Sequence, residues 1–254
     1  MTMPIDIATQ EAKAGYLDYK LFSGSLDELP KTSKTVISTL NQYSFCMAEK
    51  DLKFKQALQQ SDVLLPDGVG IVAAVKLQTN RYIRKISGSM VHAHLLNRLN
   101  QTGGRCFYLG SSILTLEKLQ QHLTTEYPAV LAGFYSPPFK AVFSAEDNEA
   151  MVKAINTYRP DVLFIGMTAP KQENWVAEHK AKLDAPIICA IGAVFDFYAG
   201  TVKRPGKLWV RFGLEWLGRF LSEPKRLWKR YLYYGPVFLF LLIKYKLYFK
   251  HFKN

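Results

Sequence analysis

From Lys34 onward the chain alternates at least five times between short apolar, β-branched runs and helix-like stretches. The runs include Thr35-Val36-Ile37-Ser38-Thr39-Leu40, Val63-Leu64-Leu65, Asp161-Val162-Leu163-Phe164-Ile165-Gly166 and Pro186-Ile187-Ile188-Cys189-Ala190-Ile191-Gly192. They are apolar at nearly every position, as strands buried on both faces must be, instead of alternating as in a one-faced antiparallel sheet. Strands separated by helices fit βαβ units, so the pattern predicts an α/β, Rossmann-like parallel sheet with helices on both faces. With 48% hydrophobic residues the chain is able to fill such a core, which excludes a disordered protein. Helices are predicted through about residue 58, across 71–101 with a break near Ile86-Ser87-Gly88-Ser89, and over about 113–126 and 145–157. Residues 1–30 are expected to be irregular or hairpin-like.

In an open parallel sheet, ligands bind where strands end in loops at their carboxyl edge. One such loop is Leu65-Pro66-Asp67-Gly68-Val69-Gly70, between a strand and a helix. Asp67 is either a helix N-cap, a common role for Asp, or a carboxylate facing a ligand. Thr39 and Asn41 end the preceding strand and are expected beside it, and the amides around Gly68 suit phosphate or hydroxyl oxygens. Gly110-Ser111-Ser112 reads as a short phosphate-loop-like turn or an ordinary strand–helix turn. Tyr135 opens an aromatic, proline-rich loop, where it either stacks on a base or sugar or packs the loop down. Pro170 suits the first turn of a helix carrying Lys171-Gln172-Glu173. His92 and His94, two apart on a helix, face different sides and do not suggest a metal site. No Asp-x-Asp pair of the kind that chelates a divalent ion with a sugar nucleotide is present, so neither metal nor cofactor is expected. Cys46, Cys106 and Cys189 lack metal-type spacing and are expected to be buried and reduced.

The net charge of +12 is concentrated at one end. Residues 203–254 carry 13 Lys/Arg against 2 Asp/Glu, whereas residues 1–202 carry 20 against 19. This divides the chain into a nearly neutral α/β body, 1–202, and a basic helical appendage, 203–254. In the appendage, Trp216, Phe220, Leu227 and Tyr231 recur at helical spacing among Arg219, Arg226, Lys229 and Arg230, with a break at Glu223-Pro224. Arg226 and Lys229, three apart, neighbour each other on one face, and such cations suit pyrophosphate or lipid phosphates. The apolar run from Tyr231 to Ile243 is shorter than the roughly 20 residues needed to cross a bilayer. Interleaved lysines and aromatics after it predict an interfacial anchor on an anionic membrane. The N-terminal Met1-Thr2-Met3-Pro4-Ile5-Asp6 shows no secretion-signal pattern.

A lone carboxylate at the sheet edge, able to act as general base, together with a cationic appendage suggests group transfer onto a lipid-linked acceptor. Several stretches form a set, in order along the chain: Thr39-Leu40-Asn41, Leu65-Pro66-Asp67-Gly68-Val69-Gly70, Phe107-Tyr108-Leu109-Gly110, and Gly166 to Trp175. To these are added Gly192-Ala193-Val194-Phe195-Asp196-Phe197-Tyr198-Ala199-Gly200, Lys203-Arg204-Pro205, Gly213-Leu214-Glu215-Trp216-Leu217-Gly218-Arg219 and Glu223-Pro224-Lys225-Arg226. In these stretches the chain resembles the WecG/TagA/CpsF glycosyltransferases, over about residues 35–231.

The resemblance implies an inverting, metal-independent enzyme that takes a UDP-sugar and a polyprenyl-pyrophosphate-linked acceptor at the cytoplasmic membrane face, in cell-surface polysaccharide synthesis. Members that make teichoic acid or enterobacterial common antigen use N-acetylmannosamine or its uronic acid, and exopolysaccharide relatives transfer other hexoses. By position, Asp67 would be the base, Thr39, Asn41 and Gln172 would line the sugar pocket, and Asp196 would bind the nucleoside. Arg219, Arg226 and Lys229 would reach the diphosphate. Two departures stand out. Lys85-Ile86-Ser87-Gly88-Ser89-Met90 lacks the acidic residue of the family's Arg-x-x-Gly-x-Asp/Glu, and Lys229 replaces a frequent arginine. Two other readings use the same features less fully: a non-catalytic nucleotide- or nucleic-acid-binding module, and a membrane scaffold for a partner enzyme. Nucleic acid is not the expected partner, and self-association is left open.

Overall fold

The computed structural model describes residues 12–14, 19–29, 34–202, 206, 209 and 215–251. Eight strands form one sheet: β1 (Ala12–Ala14), β2 (Tyr19–Leu21), β3 (Thr35–Leu40), β4 (Val63–Pro66), β5 (Arg105–Gly110), β6 (Leu131–Tyr135), β7 (Val162–Gly166) and β8 (Ile187–Ala190). Their order is β1-β2-β4-β3-β8-β7-β5-β6. β1 runs antiparallel to β2, in keeping with the hairpin-like of the two alternatives for residues 1–30, and every other pairing among the described residues is parallel. The fold is the expected α/β, Rossmann-like one.

The helices are α1 (Gln42–Ala48), α2 (Leu52–Gln59), α3 (Val69–Thr79), α4 (Gly88–Thr102), α5 (Ile113–Glu126), α6 (Ala145–Tyr158), α7 (Lys171–His179) and α8 (Val194–Tyr198). Beyond these lie α9 (Glu215–Ser222), α10 (Pro224–Trp228), a π-helical turn over Lys229–Tyr233, and α11 (Tyr234–His251). The single helix expected through residue 58 is in fact two, because the Asp51 carboxylate accepts from the Phe54 amide at 3.1 Å and starts α2 afresh. Pro170 stands one residue before α7, as its N-cap. The break expected at Glu223-Pro224 is present, with Pro224 opening α10.

Successive strand residues point to opposite faces, and both faces are buried. Cys106, Tyr108, Val162 and Phe164 pack with Leu95, Leu99, Leu116 and Leu119 of α4 and α5. Phe107, Leu109, Leu163 and Ile165 pack with Met151, Ile155 and Trp175 of α6 and α7. His92 belongs to the first of these cores, its Nε2 2.8 Å from the Tyr108 hydroxyl, and burial pushes its pKa down to about 3. It is a neutral core histidine. All three cysteines are free and buried.

The boundary expected at residue 203 lies outside the described residues. The C-terminal helices nonetheless pack on the body. Phe238 of α11 is 4% exposed and meets the Phe45 ring of α1 edge-on at 5.5 Å. Tyr234 meets Tyr43 at 5.0 Å, and the Tyr245 hydroxyl donates to the Glu49 carboxylate. The opposite side of α11 leaves Leu239, Phe240 and Ile243 about 60% exposed. Among the described residues no helix is long and apolar enough to cross a membrane.

Candidate active site

The chain leaves β3 toward β4 on one side and reaches β8 from β7 on the other, so the sheet's order reverses between β3 and β8. Strand ends diverge at such a point and leave a crevice. Here the crevice is a cavity of about 770 Å³, lined by the loops after β3, β4, β5, β7 and β8 and roofed by residues of α9, α10 and the π-helical turn.

Asp67 and Gly68 reach the cavity because β4 ends at Pro66 and the Asp67 amide donates to the Leu40 carbonyl at 2.8 Å. That bond ties the two strand ends together and places Asp67 beside Thr39 and Asn41. Gly68 has φ +108°, a backbone conformation that side chains resist, and it rather than Asp67 caps α3. The N-cap position thus belongs to Gly68, and Asp67 is among the residues that line the cavity. Asn41 also lines the cavity while its Oδ1 caps α1, accepting from the Tyr43 and Ser44 amides at 3.0 and 3.1 Å.

Gln172, 3% exposed, donates from Nε2 to the Glu173 carboxylate at 2.9 Å. Its Oε1 and the second Glu173 oxygen have no hydrogen-bond partner among the described residues. Both side chains line the cavity, where a ligand's hydroxyl or amide protons would satisfy them. Burial pushes the Glu173 carboxyl up to about 7. Asp196 of α8 and Ser111 share the wall. Gly110 and Tyr135 are not among the lining residues. Gly110, at φ +121°, ends β5 so close to β7 that a Cβ would come within 2.5 Å of the Gly166 carbonyl, and Tyr135 packs on the α6 side of the sheet. Their positions correspond to strand-end packing.

From above, Arg219 lies over the Phe197 ring at 4.7 Å, and its Nε is buried with no hydrogen-bond partner among the described residues. Lys229 lines the cavity from an exposed position. Arg226 belongs to α10, but its side chain lies outside the described residues. Two groups that sequence reasoning did not select share this wall. Arg230 lies over the Tyr43 ring at 5.2 Å, and Glu173 sits below. Arg230 was visible as the residue four beyond Arg226, a spacing that shares a helix face. Among the described residues no group of three or more His, Cys, Asp or Glu side chains could hold a metal ion. The cavity thus opposes a carboxylate at the strand edge to guanidinium and ammonium groups on the roof, an arrangement able to take a proton at one side and hold an anion at the other.

The Glycosyl transferase WecG/TagA/CpsF family model matches residues 17–251. An N-acetylglucosaminyldiphosphoundecaprenol N-acetyl-beta-D-mannosaminyltransferase of Bacillus subtilis (strain 168) is 30% identical over 197 residues, 78% of this chain and 75% of that protein. Proteins of the same description from Bacillus spizizenii and Staphylococcus aureus (strain MW2) are each 26% identical, over 80% and 85% of this chain and 77% and 82% of their own lengths.

Proposed function

Because the chain belongs to the WecG/TagA/CpsF family of glycosyltransferases, we propose that it moves a hexose or N-acetylhexosamine from a UDP-sugar to a polyprenyl-pyrophosphate-linked glycan in cell-surface polysaccharide synthesis. The acceptor class follows the relatives, whose names specify a diphosphoundecaprenol-linked acceptor and an N-acetylmannosaminyl group. The observation that carries the proposal is Asp67 in a cavity roofed by cations.

In the proposed reaction the Asp67 carboxylate accepts the proton of an acceptor hydroxyl as that oxygen attacks the anomeric carbon. The bond from that carbon to the β-phosphate oxygen breaks on the opposite face, its electron pair leaves with UDP, and the configuration inverts. Arg219, with the cations that follow it on the roof, stabilises the charge growing on the diphosphate, the task a divalent ion performs in other sugar-nucleotide enzymes. Thr39, Asn41 and Gln172 would orient the sugar, and Asp196 the nucleoside. The outward face of α11, with Leu239, Phe240 and Ile243 beside Lys244 and Lys246, would rest on the anionic cytoplasmic membrane surface where the acceptor's lipid is held.

Asp67→Asn tests the reading. It keeps the side chain's size and removes the base, so transfer should fall by about a hundredfold or more while UDP affinity stays close to wild type. Wild-type turnover in that variant would remove Asp67 from the mechanism.

A further inference from the structure

We propose that Arg230, rather than its neighbour Lys229, is the roof residue that joins Arg219 in gripping the donor's diphosphate, and that Tyr43 is the positioning residue that aims it. The inference rests on the UDP-sugar donor proposed above. It departs from motif alignment, which would give this contact to position 229.

Three observations carry it. First, Arg230 and Lys229 both border the cavity, but Lys229 is exposed and Arg230 is partly buried. An exposed ammonium is screened by water, whereas a half-buried guanidinium acts through a medium of lower dielectric. Second, Arg230 is held in place. Its Cζ lies 5.2 Å from the Tyr43 ring centre, and Tyr43 is itself fixed edge-on against Tyr234 at 5.0 Å and 85°. Tyr43 stands in the first turn of α1, two residues after the Asn41 cap, so the stack ties the roof to the strand end that carries Thr39. Third, the charges around it suit a bound anion. Burial lowers the Arg230 pKa, the positive charge of Arg219 lowers it further, and Tyr231, Asp67 and Tyr43 raise it. Two guanidinium groups repelling each other across a cavity are stabilised when a dianion enters between them.

The chemistry at the two positions also differs. A guanidinium presents a planar fork that matches two phosphate oxygens at once, which an ammonium cannot. The π-helical turn begins at Lys229, and π-turns are frequent at functional sites because the extra residue re-aims the side chains around it. As the bond from the anomeric carbon to the β-phosphate oxygen breaks, the electron pair stays on that oxygen. Arg230 and Arg219 together meet the resulting charge, while the acceptor's proton goes to Asp67.

The test is calorimetric titration of UDP and of uridine into the full-length protein and its Arg230→Ala, Arg230→Lys and Lys229→Ala variants. Arg230→Ala should weaken UDP about ten- to hundredfold, the usual worth of a charge-assisted hydrogen bond, and leave uridine binding unchanged. Arg230→Lys should fall between, since it keeps charge and loses the fork. Lys229→Ala should weaken UDP by less than about threefold. Equal loss of UDP and uridine in Arg230→Ala would mean a structural role and overturn the assignment. So would wild-type UDP affinity in that variant, or a larger loss in Lys229→Ala, and either result would leave the UDP-sugar reading standing. A wild-type protein that binds no UDP would remove that reading and this inference together.

Discussion

Glu173→Gln should make the protein more stable in mild alkali and leave it unchanged in mild acid. The wild-type carboxyl is 4% exposed and accepts a hydrogen bond from the Gln172 side chain. Burial raises its pKa from the ordinary 4.5 to about 7. Between those values the unfolded chain has released this proton and the folded chain still holds it. Folded protein therefore binds more protons, and its stability falls as pH rises through the window. Above about pH 7 the buried charge is present and the loss is complete, at most about 3 kcal/mol for a shift of this size. Glutamine keeps the shape and cannot ionise. The variant should match wild type near pH 4 and exceed it near pH 8 by up to about 3 kcal/mol, or roughly 6 to 12 °C in Tm for a chain of this length. His92, buried with a pKa of about 3, destabilises both proteins as pH falls below its ordinary 6.5, so it cancels in the comparison. Thermal melts followed by circular dichroism across that range measure the difference directly. A difference that does not change with pH, or a variant less stable than wild type near pH 8, would refute the reasoning.

Phe238→Ala removes a buried ring shared with Phe45 and should cost about 3 kcal/mol, with limited proteolysis releasing the C-terminal helices sooner than in wild type. Gly110→Ala forces a side chain into the left-handed region against the Gly166 carbonyl, and chemical denaturation should show a loss of at least about 2 kcal/mol. Replacing exposed Leu239, Phe240 and Ile243 together with serine should reduce co-sedimentation with anionic vesicles severalfold while leaving Tm near wild type.

Much of the architecture is legible along the chain because the signals are local. The β3 run Thr35–Leu40 is a strand at the predicted bounds, and α5 occupies 113–126 as expected. The sheet's order, by contrast, depends on which apolar faces meet, and nothing in the spacing of the runs encodes that. The same distinction runs through the site. Asp67 was recognisable from its loop, yet deciding between a cap and a cavity carboxylate required seeing that Gly68 caps α3. Glu173 stands in the first turn of a helix, where the dipole favours an acid, and only packing reveals that it is buried. The appendage read as a basic amphipathic interfacial anchor, and whether it docks on the body did not follow from its residues. Its aromatics divide, with Tyr234 and Phe238 docking on α1 and Phe240 facing outward, because a helix with apolar residues around most of its circumference does not announce which side meets the body.

The most direct test of the proposed activity is a transfer reaction with the full-length protein, a short polyprenyl-pyrophosphate-linked N-acetylglucosamine, and a panel of UDP-hexoses and UDP-N-acetylhexosamines in the presence of EDTA. Mass analysis of the lipid product should show the gain of one sugar from one donor, unaffected by the chelator and absent with Asp67→Asn. Turnover that requires added divalent metal would contradict the assignment of charge stabilisation to Arg219 and its neighbours. No transfer from any UDP-sugar, together with no measurable UDP binding, would contradict the proposed reaction itself.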